Sequence, residues 1–145
     1  MTALDCAESL EDLVAMVQGH LDSVCALVTR VAEGRQFVLA QAGRAMPDFY
    51  SAPTTLDYSI CQHCVAMDFP LVIDDALSHP LVRGNRAVSE IGIAAYIGAP
   101  LHVQRGEAIG AVCALEFRQR RWTEDDIRFI TEATQVADRL VARLT

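Results

Sequence analysis

Residues 108–117 constrain the fold more than any other stretch of this chain. Ile109, Ala111, Cys113, Leu115 and Phe117 alternate with Gly110, Val112, Ala114 and Glu116, so a strand here is apolar on both sides except at Glu116. Successive side chains of a strand point to opposite faces. In an antiparallel sheet, a strand that is apolar on both sides requires something to cover each face. Ile93 to Val103 has the same character and lies one short turn away, around Arg105-Gly106, which predicts a hairpin. Two covers are therefore needed. Amphipathic segments at the two ends of the chain can supply one. The irregular segment 43–92 can supply the other, with a ligand held beneath it.

The remaining elements follow from local patterns. Ser9 precedes Leu10, Leu13, Val14, Val17 and Leu21, the spacing of a capped amphipathic helix, with Gly19 weakening its last turn. Val24 to Ala32 reads as a strand, Glu33-Gly34 as a turn and Gln36 to Ala42 as the returning strand. Gly43 to Leu56 contains Pro47 and Pro53 and reads as loop. Tyr58 to Met67 reads as a short helix capped by Asp57 or Ser59. Pro70 opens a strand, Leu71 to Ile73, which Asp74-Asp75 closes. Residues 76–92 read as loop and short helix, including Ala87 to Ile91 ahead of Gly92. Thr123 starts a long helix with Glu124, Asp125 and Asp126 in its first turn, where negative charge opposes the helix dipole. That helix carries apolar residues at 127, 130, 133, 137, 140, 141 and 144. Phe129 and Val136 widen the stripe beyond one face, which points to a homodimer through the terminal helices. The expected architecture is α+β: a central antiparallel sheet of five to six strands, with terminal helices (about 4–22 and 123–144) on one face and a loop and short-helix pocket on the other. It forms a single domain over 1–145.

Composition narrows the function. With 145 residues and 52% hydrophobic content, the chain can bury one core and is not disordered. No apolar run is long enough to span a bilayer. The acidic start MTALDCAESLEDL is unlike a secretory signal, so a cytoplasmic location is expected. A net charge of −7 argues against a nucleic-acid partner. The basic cluster Arg118, Arg120, Arg121 reads as a solvated loop. All twelve basic residues are Arg. The lack of Lys excludes a Schiff-base lysine and the lysine of a phosphate-binding loop.

The chemically suggestive motif is Cys61-Gln62-His63-Cys64. A thiol in the first turn of a helix can have a lowered pKa, and two thiols three residues apart can form a disulfide or help to hold a metal. They can equally serve as small apolar residues that pack the helix against the sheet. A zinc site wants about four ligands, more than this motif offers. The other cysteines are Cys6, Cys25 and Cys113. An odd total of five, in a chain without a secretory signal, reads as reduced thiols. The histidines are scattered. His63 or His79 could serve as a haem axial ligand, but no cofactor is implied. Asp74 and Asp75 are adjacent on a strand, point to opposite faces and make a poor acid/base pair.

The run SICQHCVAMDFPLVIDDALSHPLVRGNRAVSEIGIAAYIGAPL, followed by GAVCALEF and RQRRWTEDD, resembles a GAF domain. The likeness is to the kind joined to bacterial signalling proteins such as sensor histidine kinases. The resemblance implies a non-enzymatic sensory or regulatory domain in signal transduction, which answers to a small molecule or to redox state and pairs with itself and with a signalling partner protein. It implies pocket residues Tyr58, Cys61, Asp75, His79, Arg83, Tyr96 and Cys113; the CxxC spacing separately makes Cys61 and Cys64 the redox candidates. In that pocket Asp75 and Arg83 would anchor polar ends of a ligand and Tyr96 would stack or donate a hydrogen bond.

Three family activities fit less well. Cyclic-nucleotide-binding members carry Asn-Lys, then Phe, then Asp-Glu; here Glu116-Phe117, Trp122 and Ile127 stand in those places and only Asp126 matches. The family's free methionine sulfoxide reductases use cysteines in a loop where this chain has Arg83 to Ser89, though Cys61 could match one of their positions. Bilin-binding members attach the chromophore to a Cys followed by His, whereas Gln62 follows Cys61 and Val65 follows Cys64. A cysteine-based redox protein, either a switch or a reductase, is the alternative reading.

Overall fold

Helix α1 spans Leu10–Leu21, and Ser9 caps it by accepting the Asp12 N–H at 3.1 Å. Leu10, Leu13, Val14, Val17 and Leu21 form its buried face, as their spacing predicts. The helix does not reach back to residue 4. Ser9 is extended, and the segment before it is a separate 3-10 turn, Ala3–Cys6. The computed structural model describes residues 3–44, 46, 53–103 and 106–144.

Strands β1 (Cys25–Ala32) and β2 (Arg35–Gly43) form a hairpin. Its two connecting residues, Glu33 and Gly34, both have positive φ, at 56° and 72°. This is the geometry that matches the twist of tight hairpins. Thr54–Thr55 is not loop but a short edge strand, β3, paired with the start of β2. Most of the predicted loop before it, Pro47 included, lies outside the described residues. β4 is Leu71–Ile73, β5 is Ala95–His102 and β6 is Ala108–Glu116. The sheet order is β3-β2-β1-β6-β5-β4, with every pair antiparallel. The predicted hairpin is therefore β5–β6; Arg105 of its turn lies outside the described residues.

The expected helix over 58–67 is two elements: a 3-10 turn, Leu56–Tyr58, and helix α2, Cys61–Met67. Ser59 separates them and its Oγ accepts the Gln62 N–H at 3.0 Å. Residues 87–91 form a π-helical turn that ends at Gly92. Helix α3 runs Glu124–Leu144. Thr123 and Asp126 cap it reciprocally, each side chain accepting the other's backbone N–H.

Both faces of the sheet are covered. On one, α1 and α3 pack over Ala26, Val28, Ile97, Ala99, Val112 and Ala114. On the other, α2 and the 74–94 segment pack over Leu27, Tyr96, Ala111, Cys113 and Leu115. The alternation read from β6 holds except at Ile109. Leu101 pairs with Gly110 and His102 with Ala108, so Ile109 is the extra residue of a bulge and packs with the helix-side cluster.

On α3 the half-buried Phe129 ring stacks on that of His20 with centroids 3.8 Å apart, and Val136 is buried. One further expectation changes. Arg120 is no solvated loop residue. It pairs with Glu116 at 2.8 Å, donates to the Leu21 carbonyl at 2.5 Å and lies over the Trp122 ring.

Candidate functional site: a thiol–phenol cluster under the lid

Sheet register brings the site together. Across the lid face, one row of paired residues contains Leu27, Cys113, Gly98 and Leu71; the next contains Cys25, Leu115, Tyr96 and Ile73. The Tyr96 ring runs along its strand over Gly98, where an added Cβ would lie 2.5 Å from the phenol oxygen. This carries the hydroxyl into the Cys113 row, beneath α2. There it donates to Cys61 Sγ at 3.1 Å and sits 3.7 Å from Cys64 Sγ. Cys61 Sγ lies 3.8 Å from Cys113 Sγ. Cys61 and Tyr96 are each 1% exposed, and Cys64 and Cys113 are 0% exposed. No disulfide joins these cysteines.

The start of α2, and with it Cys61, is pinned from below. Ser59 Oγ donates to the Gln36 side chain at 2.6 Å, and Gln36 is itself fully buried on β2. Gln62 Nε2 donates to the Ser59 carbonyl at 2.7 Å and Asn85 Nδ2 to the same oxygen at 3.0 Å. Ser59, Gln36 and Asn85 were not foreseen as part of the site. A lone Gln on a mixed strand gives no sign that a buried hydroxyl will meet it.

The four buried thiols differ electrostatically. The Cys113 hydrogen bond holds the Cys61 thiol below its ordinary range, against the opposing effect of burial, with help from Thr29 and Tyr96. Sequence reasoning assigned this lowering to the helix dipole; the structure assigns it to side chains across the gap. Burial pushes Cys64 up to about 12 and Cys25 up to about 11, and drives Cys113 and Tyr96 well above their ordinary values. Cys61 is thus the readiest nucleophile of the set.

The structure gathers only some of the expected pocket residues. Cys61, Tyr96 and Cys113 meet, together with Cys64. Tyr58 lies at the lid surface, where its hydroxyl donates to Glu90 and Arg86 stacks on its ring. Arg83 is exposed. His79 Nδ1 accepts the Leu81 N–H at 3.2 Å, and His79 lies close enough to His63 to disfavour its protonation. Asp74 and Asp75 lie just past β4 rather than on it, and they take different partners. Asp74 accepts the Trp122 N–H. Asp75 Oδ2 accepts from Ser78, while its buried Oδ1 has no hydrogen-bond partner. Among the described residues, no three His, Cys, Asp or Glu are placed to hold a metal, and no helix is long and apolar enough to cross a membrane.

The space imagined for a ligand is filled with side chains at this point: Ile60, Ile73, Ile93, Tyr96 and Leu115 are each 1% exposed or less. A cavity of about 650 Å³ lies instead on the helix face, lined by Leu10, Leu39, Ile109, Leu140 and Val141, with Arg30 and Arg143 among its polar residues.

At one end of the lid, α2 is tied to the opposite face of the sheet. His102 Nε2 meets Asp68, the residue that ends α2, at 2.5 Å. Its Nδ1 lies 3.7 Å from Asp138 of α3, whose Oδ1 accepts the His102 N–H at 2.7 Å.

The GAF domain family model matches residues 5–143. No curated protein sequence matches the chain. Solved structures of the same fold include the type II free methionine-R-sulfoxide reductase from Thermoplasma acidophilum, with a TM-score of 0.74 and 14% identity, covering 92% of this chain and 90% of that one. A domain assigned to a two-component sensor histidine kinase from Sinorhizobium meliloti 1021 aligns with a TM-score of 0.71 and 18% identity, over 95% of this chain and 94% of that one. The blue-light absorbing form of the Thermosynechococcus elongatus PixJ GAF domain aligns with a TM-score of 0.74 and 16% identity, over 92% of this chain and 83% of that one. At these identities the likeness shows the fold alone.

Proposed function

The chain belongs to the GAF domain family, and on that footing we propose that it is a non-catalytic sensory domain whose input is the redox state of the thiols beneath its lid. The observation that carries this reading is the contact of Cys61 with both Cys113 and the Tyr96 hydroxyl in a site closed to solvent. A catalytic thiol must meet its substrate at every turnover, whereas a sensing thiol meets its oxidant once per response, during an opening of the lid, and then alters the packing around it. The segment Arg83 to Ser89, which stands where the family's reductases carry their cysteine loop, contains no cysteine. The signal would leave through the terminal helices toward a partner protein. Two copies would pair on the helix face. Its apolar groove also carries Glu8, Glu11, Arg30 and Arg143, suited to reciprocal ion pairs about a two-fold axis.

The test compares melting of the reduced chain, the chain treated with a hydroperoxide, and the chain with a panel of metabolites. A shift with oxidant that a dithiol reverses supports the redox reading; an unchanged curve overturns it. A shift with a metabolite alone favours a second reading, in which a small donor-bearing ligand enters under the lid and satisfies Asp75 Oδ1, buried and without a partner.

A further inference from the structure

We propose that oxidation joins Cys61 to Cys113, tying α2 to β6, and leaves Cys64 as a thiol. This rests on the redox reading above and names the bond that the reading requires. Sequence spacing favours Cys61 with Cys64. The fold favours the partner 52 positions away, because the β1–β6–β5 register sets Cys113 directly beneath the first turn of α2. The two sulfurs are already in van der Waals contact at 3.8 Å, against about 2.05 Å in a disulfide. Cys64 meets the Tyr96 oxygen instead, and Cys25 lies one row away with its sulfur 3.9 Å from the Ala26 carbonyl.

The chemistry balances with hydrogen peroxide as oxidant. The Cys61 thiolate attacks one peroxide oxygen and the O–O bond breaks. The departing hydroxide takes up the proton that Cys61 released and leaves as water. Cys61 is now a sulfenic acid. Cys113 sulfur attacks it, the S–S bond forms as the S–O bond breaks, and the hydroxyl leaves as a second water with the Cys113 proton. Two thiols give up two electrons and the peroxide accepts them. Cys61 is suited to the first step, being the buried thiol held below its ordinary range, and Cys113 to the second by its place, its sulfur lying 3.8 Å from that of Cys61. Because Cys61 is 1% exposed, the oxidant reaches it through local opening of the lid. Oxidation is then slower than at exposed Cys6. Closure pulls α2 toward the sheet, and Asp68, His102 and Asp138 connect that movement to α3.

The sequence offers a clean readout. Cleavage after arginine places Cys61 and Cys64 together in peptide 45–83 and Cys113 in peptide 106–118. The full-length chain is treated with hydrogen peroxide, its remaining thiols are alkylated, and it is digested without reductant. The expected result is a dithiol-sensitive species joining 45–83 to 106–118, with the alkyl group on Cys64. It persists in Cys64→Ala and is lost in Cys113→Ala. A bond internal to 45–83, or a 45–83/106–118 link that runs through Cys64, overturns the inference and leaves the redox reading standing. Alkylation of Cys61, Cys64 and Cys113 alike, with only Cys6 oxidised, overturns both. The wild-type map decides the matter without relying on a variant to fold.

Discussion

Gly98 and Tyr96 share one strand face, and the missing side chain of the first makes room for the ring of the second: a Cβ on Gly98 would lie 2.5 Å from the Tyr96 oxygen and 2.8 Å from the ring carbon that bears it. Gly98→Ala therefore forces the phenol off Cys61. Overpacking of this kind costs about 1–3 kcal/mol, so the variant unfolds at lower denaturant. A midpoint equal to wild type would show that the ring does not lie over Gly98.

Tyr96→Phe keeps the ring and removes the donor to Cys61 Sγ. Loss of that hydrogen bond costs about 0.5–1.5 kcal/mol, measured by denaturant unfolding. It also removes one of the groups that hold the Cys61 thiol down. At fixed pH, Cys61 in the variant is alkylated more slowly than in wild type, relative to lid opening measured by hydrogen exchange. Equal rates would place the cause elsewhere.

His63 supplies a pH dependence. Burial, and after it the neighbouring His79, holds its imidazole below the ordinary 6.5. The unfolded chain accepts the proton more readily than the folded one, so the stabilising contribution is complete above pH 6.5 and is lost as pH falls through the lowered folded value. Melting temperature between about pH 7 and pH 5 should fall more steeply in wild type than in His63→Gln. Parallel curves would contradict the assignment.

His102→Ala removes the side-chain contacts to Asp68 and to Asp138 Oδ2 and keeps the backbone N–H bond to Asp138, so α2 loses its link to β5 and α3 while β5 stays bonded to α3. The pairs it forms are partly exposed, so the stability cost is small, roughly 0.2–1 kcal/mol for each. The larger effect is on transmission. In wild type, oxidation should alter hydrogen exchange in both α2 and α3; in the variant only α2 should respond. A full α3 response in the variant would mean the signal travels by another route.

Much of this was legible in the sequence because it depends on local periodicity. The double-sided apolar run of β6, the cap at Ser9 and the acidic first turn of α3 each rest on residues that act on near neighbours. Ile109 escaped because a bulge depends on the pairing of two strands, and nothing within 108–117 reveals where β5 slips by one residue. The stack of Phe129 on His20 was not legible, because a helix viewed alone does not show which ring of α1 will meet it. The CxxC spacing drew attention to Cys61 and Cys64. The sulfur that touches Cys61 comes from a strand 52 positions on, and only the sheet register places it there. Arg120 likewise looked like one of three loop arginines until the backbone carbonyl of Leu21 came within reach of it.

The central claim is tested most directly by counting thiols. In a Cys6→Ser chain, which keeps the four buried cysteines, denatured samples are titrated with a thiol reagent before and after hydrogen peroxide treatment of the native protein. The account predicts a fall from four to two, restored by a dithiol. Four thiols after treatment that fully oxidises a small-molecule thiol control would contradict it.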